Sequence, residues 1–196
     1  MVTISSIKHE IIKLTEVIML NRIRQFTQNI SYAFHKIDED FLLQYLNHKE
    51  YQLFGRLGKS EQVHSILVAK DISGEHAEKA DRNFIKAVLF HDIGKIIRPM
   101  NIMEKSIAVV LSRLMGDGIR RLDRIDFISA YLNHGERGYE ILKSELIFEE
   151  TPIYYDLIRL HHMKRENLSG HIRTSISNED EFFFYYDLLK KYDDRY

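Results

Sequence analysis

The chain has 196 residues, 44% of them hydrophobic, with 28 Lys and Arg against 29 Asp and Glu and no Cys. That length suits one compact domain with a short extension, and the balanced charge excludes the basic face of a dedicated nucleic-acid binder. The absence of Cys excludes disulfides and thiolate ligands. No apolar run approaches a membrane span, and Lys8, His9 and Glu10 interrupt the N-terminus where a secretory leader would be apolar, so the expectation is a cytoplasmic protein with no membrane partner.

With only two prolines, Pro99 and Pro152, long helices are allowed, and the apolar spacing is helical nearly throughout. The run "IIKLTEVIMLNRIRQF" repeats apolar residues at steps of three and four and predicts an amphipathic first helix that packs on the core by default. "DEDFLLQYL" and "NHKEYQLFGRL" predict two short helices, with Asp38 and Asn47 as N-caps and Glu50 completing a capping box. Gly55 and Gly58 then punctuate the chain before a helix opening near Ser60. Further helices are predicted over 60–72, 76–92, 102–116, 121–131, 134–146, 152–164 and 180–194. Asn133 with Glu136 reads as a second capping box, and Thr151-Pro152 puts proline at a first helical position. No strand pair with hairpin punctuation stands out, so the fold class is all-α. Every clustered ligand-type residue lies after position 60, which divides the chain into an N-terminal helical extension, 1–58, and a metal-binding domain, 59–196.

The helix faces carry the chemistry. Residues i, i+3, i+4 and i+7 share a face, so His91 follows Phe84, Ala87 and Val88 along an apolar stripe. By the same spacing His64 sits with Leu67 and Val68, and His161 with Tyr154, Leu157 and Ile158. Asp193 follows Phe182, Tyr186 and Leu189, and His134 opens a helix one turn before Gly138. One histidine on an apolar face is usually a hydrogen-bonded core residue. Several histidines with Asp92 and Asp193 on inward faces are different, because burying unpaired carboxylates is costly and a shared cation relieves the cost jointly.

These residues occur in the order His64 in "EQVHSILVAK", His91-Asp92 in "LFHDIGK", His134 in "NHGERGYEIL", His161-His162 in "LIRLHHMK" and Asp193 in "LLKKYDDRY". The pattern resembles the HD-domain superfamily of metal-dependent phosphohydrolases, in its HDIG subgroup, and "YLNHKEYQLFGRLGKSEQVHS" resembles the lead-in of a group of short HDIG proteins. The resemblance implies an HD-type helical bundle and one or two divalent transition-metal ions. His64, His91, Asp92 and Asp193 would hold one ion. Asp92 would bridge to a second, held also by His134 and His161, with His162 as an additional or substitute ligand. Lys95 would meet a substrate phosphate. An imidazole-rich, thiol-free set suits iron, manganese, nickel or zinc. The implied activity is hydrolysis of a nucleotide-like phosphomonoester or phosphodiester through a metal-activated hydroxide, with Asp92 and Lys95 catalytic. The alternative is a non-catalytic HD-like regulatory or nucleotide-binding module.

The chain departs from the cyclic-di-GMP phosphodiesterase branch. It has no Gly-Tyr-Pro after the paired histidines, Met163 stands where that branch has glutamate, and position 60 is Ser. That specificity is not carried over. Arg98, Arg120, Arg121 and Arg124 are phosphate-gathering candidates, although such residues are more often solvated surface. Glu61 reads as a solvent-facing first-turn residue, and the aromatic run "FFFYY" at 182–186 as core.

Overall fold

The computed structural model describes residue 32, residues 35–173 and residues 179–196, so the amphipathic run 11–26 lies outside the described residues. Among the described residues eight α-helices of seven residues or more follow one another: α1 Glu39–Tyr45, α2 His48–Phe54, α3 Lys59–Glu75, α4 Arg82–Phe90, α5 Ile102–Met115, α6 Asp126–Ser144, α7 Ile153–Leu160 and α8 Glu179–Asp193. Short 3₁₀ turns at Ile93–Ile96, Gly116–Leu122 and Arg165–Asn167 link them. No strand occurs among the described residues, and the fold is all-α.

Local capping explains several boundaries. The Asp38 carboxylate accepts from the Phe41 N–H at 2.9 Å, and Asn47 with Glu50 forms the expected reciprocal box at 2.9 and 2.8 Å. The helix expected over 76–92 begins only at Arg82. The chain turns through 76–80, and Asp81 caps α4 by accepting from the Phe84 N–H at 2.7 Å. The same carboxylate accepts from the Tyr154 hydroxyl at 2.8 Å, tying the start of α4 to α7.

The two helices expected over 121–131 and 134–146 are one continuous α6. Asn133 and Glu136 make no cap: the Asn133 amide donates to Asp123 at 2.9 Å and to Ser129 at 3.2 Å, while Glu136 accepts from Arg173 at 2.6 Å. The helix expected over 152–164 ends at Leu160, because the chain turns at His161.

α4 lies at the centre, with Phe84, Ile85, Ala87, Val88, Leu89 and Phe90 all buried. Phe41, Leu42, Leu53 and Phe54 of α1 and α2 belong to the same apolar cluster as α3, α4, α7 and α8. Of the aromatic run, Phe182, Tyr185 and Tyr186 are buried in it, whereas Phe184 faces outward. A smaller cluster of Ala108, Ile119 and Ile128 seats α5 and the Gly116–Leu122 turn on α6.

One ion pair joins this core. Lys86 of α4 donates to Glu50 of α2 at 2.6 Å, and both side chains are largely buried. Removing one partner of a buried pair leaves an uncompensated charge. Lys86→Ala is therefore expected to lower unfolding free energy by about 3 kcal/mol in urea titrations, whereas Lys49→Ala, at an exposed pair, changes it by less than about 1 kcal/mol.

Candidate metal centre

Five helices deliver the seven sequence-predicted ligands to one place. His64 comes from the second turn of α3 and His134 from the middle of α6. His91 is the first residue past α4, His161 the first past α7, and Asp193 the last of α8. Asp92, at φ −98° and ψ 5°, turns the chain from α4 into the Ile93–Ile96 turn. Three helices thus direct their C-terminal ends, which carry partial negative charge, at the same region, an arrangement that favours a cation.

The ligand atoms form two sets, each with its donors within 4.8 Å of one another: Asp92, His134, His161 and His162, and His64, His91 and Asp193. Asp92 lies between them. Its Oδ1 is 3.4 Å from His134 Nε2 and 3.9 Å from His161 Nε2, while its Oδ2 is 3.5 Å from His91 Nε2. In the other set Asp193 Oδ1 is 2.9 Å from His64 Nε2 and 3.4 Å from His91 Nε2. His162 is the exposed member, its ring edge-on to His134 with centroids 4.7 Å apart.

The tautomers follow from the backbone. Nδ1 of His91, His134 and His161 lies 2.7, 2.7 and 2.6 Å from the carbonyl oxygens of Val88, Tyr131 and Ile158. A carbonyl only accepts, so each Nδ1 carries the proton and donates it. Each Nε2 of a neutral ring is then a bare lone pair. These three nitrogens and Asp92 Oδ1 are the buried atoms of the centre that have no hydrogen-bond partner. Acceptors facing acceptors have nothing to share but a cation, and the residues therefore fit a divalent metal by the chemistry of the donor set itself. The backbone carbonyls act as the outer groups that fix ring orientation.

Electrostatics agree. Burial, followed by the Lys95 ammonium, pushes His134 down to about 4, and burial with the neighbouring rings of His134 and His91 pushes His161 down to about 3. Burial pulls His91 down as well, but Asp92 and Asp193 outweigh it and carry its pKa above the usual value. Burial would raise Asp92, yet Lys95 and the surrounding imidazoles hold it well below the ordinary carboxylate range.

Lys95 donates to Asp92 Oδ2 at 2.5 Å, so its ammonium lies at the edge of the centre. Glu61 does not face solvent as expected: it is mostly buried and paired with Lys105 of α5. Arg98 is taken up by a two-pronged contact to Glu104 at 2.7 and 2.8 Å. The rivals of Asp193 point elsewhere, Asp187 of α8 to Arg165 and Asp194, one residue past the helix, to Lys190.

Sequence reasoning missed the residues that set the spacing. A Cβ at Gly94 would lie 1.9 Å from the His134 carbonyl oxygen and 2.7 Å from the Gly138 nitrogen. A Cβ at Gly135 would lie 2.6 Å from the Arg159 carbonyl oxygen. The two glycines let α6 touch the Ile93–Ile96 turn on one side and α7 on the other, which brings His134 to Asp92 and to His161. Fully buried Asp156 was also missed. It accepts from Arg159 Nε at 3.0 Å and from the Arg173 N–H at 2.8 Å, pinning the last turn of α7 from which His161 projects.

Helices that converge imidazoles and aspartates in this order define a metal-binding domain of the HD type. The family model described as HD domain matches residues 62–190, about two-thirds of the chain, and the chain belongs to that family, whose members are generally metal-dependent phosphohydrolases, some of them non-catalytic. No curated protein and no solved structure matches the chain significantly.

Two outcomes follow from this geometry. Gly94→Ala must push backbone against backbone, so it is expected to destabilise the protein by about 1–3 kcal/mol and to weaken transition-metal binding by at least about 10-fold in competition titrations with a chelator dye. The metal-free protein has a definite pH response. The lowered values of His134 and His161 mean that the unfolded chain binds more protons as pH falls from about 6.5 towards 4, so stability declines across that window. His91, raised in the fold, contributes stability below its unfolded value that is lost as pH rises through its folded value. Urea midpoints of chelator-treated protein should therefore peak near pH 6.5, and a flat profile from pH 4 to 8 would contradict the assigned environments.

Proposed function

We propose that the protein is a metal-dependent phosphohydrolase of the HDIG subgroup that cleaves a phosphomonoester or phosphodiester of a nucleotide-like substrate. The observation that carries the reading is that the buried Nε2 atoms of His134 and His161 lie 3.4 and 3.9 Å from Asp92 Oδ1 with no hydrogen-bond partner, while His91 Nε2, also without one, lies 3.5 Å from Asp92 Oδ2. Divalent iron, manganese, nickel or zinc bound there supplies a water of lowered pKa and charge neutralisation at the phosphoryl oxygens.

The chain's own residues have separable tasks in this proposal. Asp92 shares its two oxygens between the ligand sets, so it fixes their separation. His134 and His161 remain neutral at physiological pH and act as donors of lone pairs, not of protons. Lys95 holds its ammonium against Asp92 and is partly open to solvent, which places a cation where it can meet a phosphoryl oxygen and offset charge that develops during attack. Its C-terminal position in a 3₁₀ turn, three residues after Asp92, keeps it at the rim.

The test is metal analysis of purified protein followed by assay of nucleotides and model phosphate esters across the four metals. The expected result is at least about one equivalent of transition metal, with turnover that Asp92→Ala reduces by more than about 100-fold. No bound transition metal, together with activity that survives Asp92→Ala, would sink the reading. Tight nucleotide binding without turnover at any of the metals would mark the non-catalytic module instead.

A further inference from the structure

Helix α5 is apolar on two sides. On one, Ala108 packs in the small cluster with Ile119 and Ile128, and Lys105 pairs with Glu61 of α3. On the opposite side Met103, Ile107, Val110 and Leu114 stand open to solvent, 67, 44, 38 and 77% exposed. Their steps of four, three and four residues put them in one straight stripe, the spacing of a seam between two helices. Ile102 and Met115 flank the stripe and are exposed as well. Single exposed aliphatic residues need no explanation, but a continuous stripe on a helix already buried on its other side calls for a cover. Together these residues leave on the order of 400 Å² of apolar surface in water. That is close to the apolar share, somewhat over half, of the about 800 Å² that each partner gives to a standard interface.

The stripe is complementary to itself. About a two-fold axis between Ile107 and Val110, two antiparallel copies of α5 set Ile107 against Val110 of the second copy and Met103 against Leu114, each contact occurring twice. Antiparallel pairing also opposes the helix dipoles and separates like charges. Arg113 is exposed in the last turn. It comes to lie by the first turn of the second copy, where the cations Arg98 and Lys105 are already paired with Glu104 and Glu61. Parallel pairing would instead set Arg113 beside its own copy. The amphipathic run 11–26 suits the face less well, because it brings Lys13, Arg22 and Arg24 against a single Glu16 to a helix whose exposed charge is already positive.

We infer that two copies of this chain pair antiparallel through the 103–114 stripe of α5. The pairing face lies on the side of α5 away from Glu61, so its test is independent of the reading of the metal centre. Sedimentation of the full-length protein at micromolar concentration is expected to give a dimer. Leu114→Glu raises the dissociation constant by at least about 10-fold, whereas Leu43→Glu, at an exposed position off this helix, leaves it unchanged. Both positions are exposed in the single chain, so helical circular dichroism stays at the wild-type level and separates lost pairing from lost fold. The chain has no Cys, which allows the register to be read directly. Protein carrying Met103→Cys is mixed with protein carrying Leu114→Cys and oxidised. The mixture forms a linked dimer, and either protein alone forms at least about 10-fold less, because like positions lie roughly 16 Å apart along the seam and a disulfide spans at most about 7 Å between Cα atoms. A monomeric wild type, a dimer that survives Leu114→Glu, or a mixture that links no better than its components overturns the inference.

Discussion

Three imidazole rings, each with its Nδ1 proton spent on a carbonyl of its own chain, present bare Nε2 atoms to one buried carboxylate. The rest of the molecule is organised around that constraint. A buried polar atom left unpaired costs about 1–3 kcal/mol, and four of them cost about 4–12 kcal/mol, comparable with the entire stability of about 5–15 kcal/mol expected of a domain. Hydrogen bonding removes little of the cost at His134 and His161, whose lowered pKa values keep them neutral acceptors facing Asp92, whereas Asp92 and Asp193 favour a proton on His91. Lys95 satisfies one oxygen of Asp92, and a proton between His64 and Asp193 satisfies part of the other set. A cation held there would satisfy the remainder, and its binding would then also contribute to folding.

The scaffold holds its donors by two devices. One is close backbone approach: Gly94 lies against the His134 carbonyl and Gly135 against the Arg159 carbonyl, so three consecutive ligand-bearing segments touch without side chains between them. The other is a set of buried anchors away from the centre. Asp156 with Arg159 holds the end of α7, and Asp81, accepting from Tyr154, holds the start of α4. Errors of an ångström in either would separate Asp92 from the rings it must face, and such errors are costly at preorganised sites.

Much of this was legible in the sequence because helical periodicity does two jobs. The spacing that places Phe84, Ala87 and Val88 in the core also aims His91 inward, and the phase of Phe182, Tyr186 and Leu189 selects Asp193 over Asp187 and Asp194. The failures have a common cause. Asn133 and Glu136 match a capping box in spacing, but Asp123 and Arg173, distant in sequence or across a turn, compete for their side chains and α6 runs on. The start of α4 is hidden in the sequence because His76 to Ala80 look helical locally, whereas Asp81 caps α4 and also meets a tyrosine from α7. Glu61 looks solvated in the sequence because its partner, Lys105, lies 44 residues away. The glycines gave a signal, small residues at 94, 135 and 138, whose meaning appears only when the facing backbones are known.

The link between core and centre couples each ligand to the packing around it. His64, His134 and Asp193 lie on inward helix faces and His91, Asp92 and His161 in the turns at helix ends, where a neutral apolar residue would pack without penalty and a carboxylate or unpaired imidazole would not. A chain that kept the apolar stripes but lost the cation would be under pressure to replace Asp92 and Asp193 first, since ionised groups cost most to bury, and to let the closely spaced glycines gain side chains. Here both aspartates, all five imidazoles of the two sets and the three glycines between them stand together. The centre is thus not an ornament on a helical bundle. Its packing distances and its polar donors together fit a bound ion.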